Sequence, residues 1–202
     1  MKAADKITTV RIVLAPAFFL LFCFNKFPGL TLIWQIPVLA VIFIVAQLTD
    51  LLDGMAARKL GEVSDFGKLF DPFADTVFQI TVFFTFVMHG ILPMAPFLLI
   101  LYREFAILFI RNLMLRKGVS MGARIGGKIK TVVSIIAGAF ALAVYYLEIL
   151  APYFKSAGFE DLFSLIYLIF SRSAVYIFIL AVVISLVSFA DYLRVFRKTA
   201  GR

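Results

Sequence analysis

Residues 50–75 read DLLDGMAARKLGEVSDFGKLFDPFAD. Asp50 and Asp53 close one long apolar run, and Asp71 and Asp75 open the next. Between them Gly54, Ala57, Arg58 and Gly67 complete the pattern D-x2-D-G-x2-A-R-x8-G-x3-D-x3-D. Residues three and four apart share a helix face. Asp50, Asp53, Gly54 and Ala57 therefore form one stripe, with Arg58 a turn beyond Gly54. Asp71 and Asp75 form a second stripe. The short connection between the two runs predicts antiparallel neighbouring helices whose acidic stripes face each other.

An ionisable group at membrane depth costs about 2.5–3.5 kcal/mol on insertion scales, so four of them together signal a function. Carboxylate oxygens are the ligands of hard divalent cations. Four carboxylates suit two such ions, whose charge offsets the repulsion among the acids. Small side chains at Gly54 and Ala57 let a ligand approach the helix backbone. With an arginine alongside, this suits a pyrophosphate-bearing substrate and an in-line displacement. Two other readings stand beside it. One is a set of helix-end charges neutralised by Lys59 and Lys68; the other is a cation-translocation site.

The rest of the chain sets the context. Of 202 residues, 63% are hydrophobic and 24 are phenylalanine, well above the apolar share of a soluble domain. The expectation is an all-α, polytopic membrane protein forming a single domain over residues 1–202. Six apolar segments lie at about 8–24, 33–58, 67–89, 92–115, 131–147 and 173–193, each near the ~20 residues needed to cross a bilayer. The first is read as an uncleaved span. Residues 151–172 are read as the longest connection, a stretch lying along the interface. If the N-terminus is cytoplasmic, 16 of the 20 lysines and arginines fall inside and only Lys26, Lys155 and Arg172 outside. Such a bias places both termini in the cytoplasm. The net charge of +8 then reflects topology and anionic partners, not nucleic acid. The single cysteine, Cys23, excludes an intramolecular disulfide. His89 lies at an outer turn, away from the four aspartates. Trp34, Tyr145, Tyr146, Tyr153 and Tyr192 read as interfacial aromatic belts.

A second polar group runs from Arg103 to Thr131. Arg103 is eight residues before Arg111, as Asp50 is before Arg58, and Asp75 is seven beyond Lys68. At ~1.5 Å per residue, all three helices carry these groups to a similar depth, about 12 Å from one end. One polar cavity is expected there. Arg103 either meets an anion or pairs with Glu104 or an aspartate. Gly126-Gly127-Lys128-Ile129-Lys130-Thr131 opens the fifth segment. A helix N-terminus beside lysines is an anion site, although an ordinary positive-inside loop looks similar. Charges gathered at one end favour an enzyme over a transporter, which needs a path across the membrane.

The run from Asp50 to Asp75 resembles the signature of the CDP-alcohol phosphotransferases, with all eight fixed positions filled. In that family a phosphoryl-containing group passes from a CDP-activated donor to an alcohol and CMP is released. The resemblance implies that Asp50, Asp53, Asp71 and Asp75 bind metal, as two Mg²⁺ or Mn²⁺ ions, and that Asp75 is the general base. It also implies that Thr8, Asp50, Gly54, Ala57, Arg58 and Gly67 hold the donor. Arg103-Glu104, Arg111, Ala123 and Gly127-Lys128-Ile129-Lys130-Thr131 are similar to the phosphatidylglycerophosphate synthase branch, as is Thr8-x2-Arg11 followed by Pro16. Asp5, Arg124 and Ser134 depart from that branch. The branch implies CDP-diacylglycerol as donor and sn-glycerol 3-phosphate as acceptor, with Arg103, Arg111, Lys128 and Lys130 on the acceptor phosphate. It also implies a homodimer in the membrane lipid. An inositol phosphate is the nearest rival acceptor and serine a more distant one.

Overall fold

The computed structural model describes residues 3–24, 34–60, 65–116, 118 and 125–200. Within these, the side chains of 3–7, 24, 50–60, 65, 66, 68, 69, 125, 195 and 198–200 lie outside the description. The described residues form six helices and no strand: α1 (Ala3–Phe24), α2 (Gln35–Leu60), α3 (Asp65–His89), α4 (Met94–Arg116), α5 (Ile125–Ser156) and α6 (Glu160–Ala200).

The first helix organises the bundle. Thr8, Arg11, Ala15, Phe18 and Phe22 are all buried. Their alternating spacing of three and four residues makes one continuous seam. Phe18 meets Phe78 and Phe86 edge-on, with ring centroids 6.3 and 6.2 Å apart, and Phe22 meets Phe86 at 5.9 Å. Because position along α1 rises together with position along α3, the two helices run parallel. Among the described residues α1, not α3, packs closely along α2. The antiparallel α2–α3 pair expected from their short connection joins through residues 61–64, outside the described residues. Whether the acidic stripes of α2 and α3 face each other lies outside the described side chains.

Elsewhere α5 packs along α6, and α4 lies against both α6 and α3. Phe83 of α3 and Phe178 of α6 close the centre at 4.8 Å between centroids. Tyr145 and Tyr192 are buried, not in an interfacial belt; Tyr145 lies against the Phe22 ring at 4.4 Å. Trp34 and Tyr153 are exposed as that belt requires.

Two turns stop their helices by the same device. At the end of α3 the Gly90 N–H donates to the Val87 carbonyl and the Ile91 N–H to that of Phe86, both at 3.0 Å. At the end of α5 the Gly158 N–H donates to Lys155 and the Phe159 N–H to Phe154, at 3.2 and 3.1 Å. Each is a Schellman motif, with a left-handed glycine at φ 88° and 79°. The second motif overturns the long connection expected at 151–172: α5 runs to Ser156 and α6 begins at Glu160. Glu160 and Asp161 sit in the first turn of α6, where the helix dipole favours negative charge. Phe154 and Phe163 stack across the hairpin at 5.1 Å. The charges that made this stretch look like a loop are helix-end charges.

Gly126–Ser156 and Glu160–Arg194 are each long and apolar enough to cross a membrane, and Thr8–Cys23 and Gln35–Thr49 are shorter apolar runs. Val13, Val41, Tyr102, Phe109, Val132, Leu180 and Val187 expose large apolar surface on the outside of the bundle.

Nothing lies within 4 Å of where a Cβ would sit on Gly158, so the cost of a side chain there is conformational alone. Gly158→Ala should lower stability by about 1 kcal/mol, whereas Gly158→Asn should be nearly neutral. Thermal unfolding of the purified protein in detergent measures both.

Candidate active site

Six of the residues singled out in the sequence converge on one cavity of about 280 Å³. Asp71 and Asp75 come from α3, Arg103 and Arg111 from α4, and Lys128 and Lys130 from α5. Asp75 and Arg103, expected at one depth, both line the cavity. Its α2 wall is Phe43, Ala46 and Gln47. Asp50, Asp53, Gly54, Ala57 and Arg58 occupy the last turns of α2, and their side chains lie outside the described residues. Gly67 lies one turn before Asp71 on α3.

The acidic wall is held by the start of the α1 seam. Arg11, only 2% exposed, forms an ion pair with Asp75 and lies 3.9 Å from Asp71. The Thr8 hydroxyl donates to Asp71 Oδ1. Thr8 is buried behind the carboxylate, so its described contact is to Asp71. Both aspartates remain accessible, at 43% and 44% of their side-chain surface. A carboxylate offers about four lone-pair sites, so these contacts leave room for a further ligand. Among the described residues no three His, Cys, Asp or Glu side chains cluster. Asp71 and Asp75 are the described pair with hard-cation chemistry, one turn apart and open to the cavity.

The basic wall is built around Glu104. Its Oε1 accepts from Arg103 Nη1 at 2.7 Å and lies 2.6 Å from Lys130 Nζ. Arg103 also donates through Nε to the Ser185 carbonyl at 3.1 Å. Of the two readings of Arg103, the pair with Glu104 is present, and the side chain also lines the cavity. Glu104 orients it, as expected. Lys130 donates to Gln79 Oε1 at 3.0 Å. Four cations, Arg103, Arg111, Lys128 and Lys130, line this side against the one anion Glu104. Lys128, exposed, marks the mouth; Lys130, buried, lies inside. Thr131 donates to the Gly127 carbonyl at 3.1 Å and also lines the cavity.

Two functional residues escaped the sequence reading. Arg11 counted only as a cytoplasmic charge and part of a motif; the seam through Ala15, Phe18 and Phe22 was the signal that it points inward. Tyr192 is 2% exposed, lines the cavity, accepts from Arg111 Nη2 at 3.1 Å and lies 5.6 Å beneath that guanidinium. No motif surrounds it, and only the docking of α6 brings it there. His89 sits at its turn, at the opposite end from the cavity. Its Nε2 is 2.8 Å from Glu148 Oε2, and Glu148 Oε1 accepts from Tyr167 at 2.8 Å.

The sequence matches the model of the CDP-alcohol phosphatidyltransferase family over residues 1–187. A Treponema pallidum protein named CDP-diacylglycerol--glycerol-3-phosphate 3-phosphatidyltransferase is 34% identical over 100% of this chain and 94% of its own length. A Bacillus subtilis protein of the same name is 36% identical over 66% of this chain and 72% of its own. A Rickettsia typhi protein of that name is 32% identical over 71% and 80%.

Removing Arg11 should leave Asp71 and Asp75 facing each other without a counter-charge. Because both carboxylates are partly accessible, Arg11→Met should cost about 1–3 kcal/mol, less than a fully buried pair. Arg11→Lys should recover part of this loss. If Arg11→Met melted at the wild-type temperature, the ion pair would not contribute to holding α1 on α3.

Proposed function

Because the chain belongs to the CDP-alcohol phosphatidyltransferase family, we propose that it transfers a phosphatidyl group from CDP-diacylglycerol to sn-glycerol 3-phosphate. The products are phosphatidylglycerophosphate and CMP. One observation carries the choice of acceptor: the cavity sets two open carboxylates on one wall against a surplus of cations on the other. A phosphorylated alcohol needs both, one to take a proton and the other to bind phosphate. The names of the relatives support the same acceptor.

In this reading Asp75 takes the proton of the acceptor hydroxyl. That oxygen bonds to the phosphorus bearing the diacylglycerol. The bridging bond to the cytidylyl phosphate breaks, and CMP leaves with the electron pair. Arg103, Arg111, Lys128 and Lys130 hold the acceptor phosphate, with Tyr192 beneath Arg111. Positioning and electrostatics supply most of the acceleration for such a displacement. The helical register of α2 carries the cavity stripe of Phe43, Ala46 and Gln47 on towards positions 50, 53, 54 and 57. Asp50, Asp53, Asp71 and Asp75 would hold two divalent cations, Mg²⁺ or Mn²⁺, whose charge stabilises the pyrophosphate when bound. Gly54, Ala57 and Arg58 would receive the cytidine nucleotide, with Asp50, Gly67 and Thr8 beside it.

All six helices are proposed to span the cytoplasmic membrane, with both termini and the cavity on the cytoplasmic side. The even helix number and the clustering of basic residues near the cavity end support this. A homodimer is proposed with it, on the family resemblance.

Purified protein given CDP-diacylglycerol and a panel of acceptors should yield phosphatidylglycerophosphate by mass with glycerol 3-phosphate. Inositol phosphate and serine should yield no product. Asp71→Ala and Asp75→Ala should each abolish transfer. Chelation should silence the wild type and Mg²⁺ or Mn²⁺ restore it; full activity after chelation would remove the metal from the scheme. In a Cys23→Ser background, a reagent confined to the outer face should label a cysteine at Ser156 and spare one at Ser64. The opposite pattern would invert the topology.

A further inference from the structure

Two polar groups in the cavity have no role in phosphate binding or proton transfer. The first is Ser134, 4% exposed and one turn beyond Lys130 on α5. A helical serine or threonine usually bonds back to the carbonyl four residues earlier. Thr81, Thr85 and Thr131 do so, to Val77, Thr81 and Gly127. Ser134 does not; among the described residues its Oγ has no partner. The second is Gln79, one turn beyond Asp75 on the same face of α3. An ammonium group only donates. The 3.0 Å contact from Lys130 Nζ therefore fixes the amide oxygen of Gln79 towards lysine and turns its NH₂ away. That Nε2 is buried and, among the described residues, also without a partner.

Buried polar atoms are nearly always paired, so two unpaired ones lining the same cavity call for a ligand. Their chemistry says which kind. An amide NH₂ donates and a serine hydroxyl both donates and accepts, and neither carries charge. A neutral hydroxyl, able to accept from the one and exchange with the other, satisfies both. In the reading above phosphate already has four cations, Arg103, Arg111, Lys128 and Lys130. Gln79 stands about 6 Å along α3 from Asp75, one helical turn, so the group it reads lies close to the reacting oxygen.

We propose that Gln79 Nε2 and Ser134 Oγ bind a second hydroxyl of the acceptor, one that neither reacts nor bears the phosphate. The pair thereby selects a phosphorylated polyol over a phosphorylated simple alcohol. This inference rests on the acceptor reading above and adds its specificity element. Lys130 couples the two functions: it sits among the phosphate-binding cations and orients the amide that reads the neighbouring hydroxyl.

The test compares sn-glycerol 3-phosphate with the monophosphate of propane-1,3-diol, which keeps the reactive hydroxyl and the phosphate and lacks the central hydroxyl. The wild type should prefer glycerol 3-phosphate by roughly 10- to 100-fold in kcat/KM, the range expected when a buried polar group is left without its partner. Ser134→Ala and Gln79→Leu should each bring this ratio towards one, chiefly through glycerol 3-phosphate. Ser134→Thr, which keeps the hydroxyl, should retain most of it. Equal use of the two acceptors by the wild type would overturn the proposal. So would variants that lower both acceptors in proportion, because a merely structural role moves both alike. Failure of the wild type to use either compound would remove the acceptor reading, and this proposal with it. That outcome appears before any variant is made.

Discussion

Arg11 is the charge on which the arrangement of this bundle depends. It is almost completely buried in an apolar protein and is held there by carboxylates from a different helix. A guanidinium cannot shed its charge by losing a proton. It must therefore be matched where it stands, and the partners are Asp75 and Asp71. The same contact fixes the register of α1 against α3, because Thr8 engages Asp71 one turn earlier and Phe18 and Phe22 engage α3 further along. Register and chemistry are set together. A slip of α1 by one turn would separate the rings and strand the arginine.

The cavity has a division of labour that follows from helix ends. α1, α3 and α5 begin at this end and α2, α4 and α6 finish there, so six termini surround one space. Among the described residues, basic side chains come from α1, α4 and α5, and acidic ones from the start of α3 and the middle of α4. Among the described residues α6 brings no charge to the cavity, yet it fixes both arginines of α4: Arg103 on the Ser185 carbonyl and Arg111 on the Tyr192 hydroxyl. The spacing of seven residues between Ser185 and Tyr192 matches two helical turns, and the spacing of eight between Arg103 and Arg111 matches it closely. The guanidinium groups are thus held in place by α6; under the proposed function this lowers the entropy lost when a phosphate binds.

Much of this was legible in the sequence because the cavity residues are charged and the surroundings are not. Asp71, Asp75, Arg103, Arg111 and Lys130 stand out against apolar neighbours, and helical spacing fixes their depth. Six helices followed from six apolar runs for the same reason. The α5–α6 hairpin was hidden because Lys155, Glu160 and Asp161 look like loop residues until Gly158 is recognised as a helix stop. Tyr192 was hidden because a tyrosine near the end of an apolar run suits a membrane interface equally well. Its role depends on tertiary docking, which local periodicity does not carry. The packing of α1 along α2 was hidden for a related reason. Connection length limits which helices can be adjacent, but buried surface decides which of them are.

The polar clasp of His89, Glu148 and Tyr167 has a mechanical consequence. It joins α3, α5 and α6 at the end of the bundle away from the cavity, close to the two glycine-stopped turns. A second tie lies at the cavity end, where Lys130 of α5 meets Gln79 of α3 and Glu104 of α4. The two ties stand about 27 Å apart along α5, from Lys130 to Glu148 at ~1.5 Å per residue. A rotation about either tie therefore strains the other, and the cavity between them keeps the spacing of its walls.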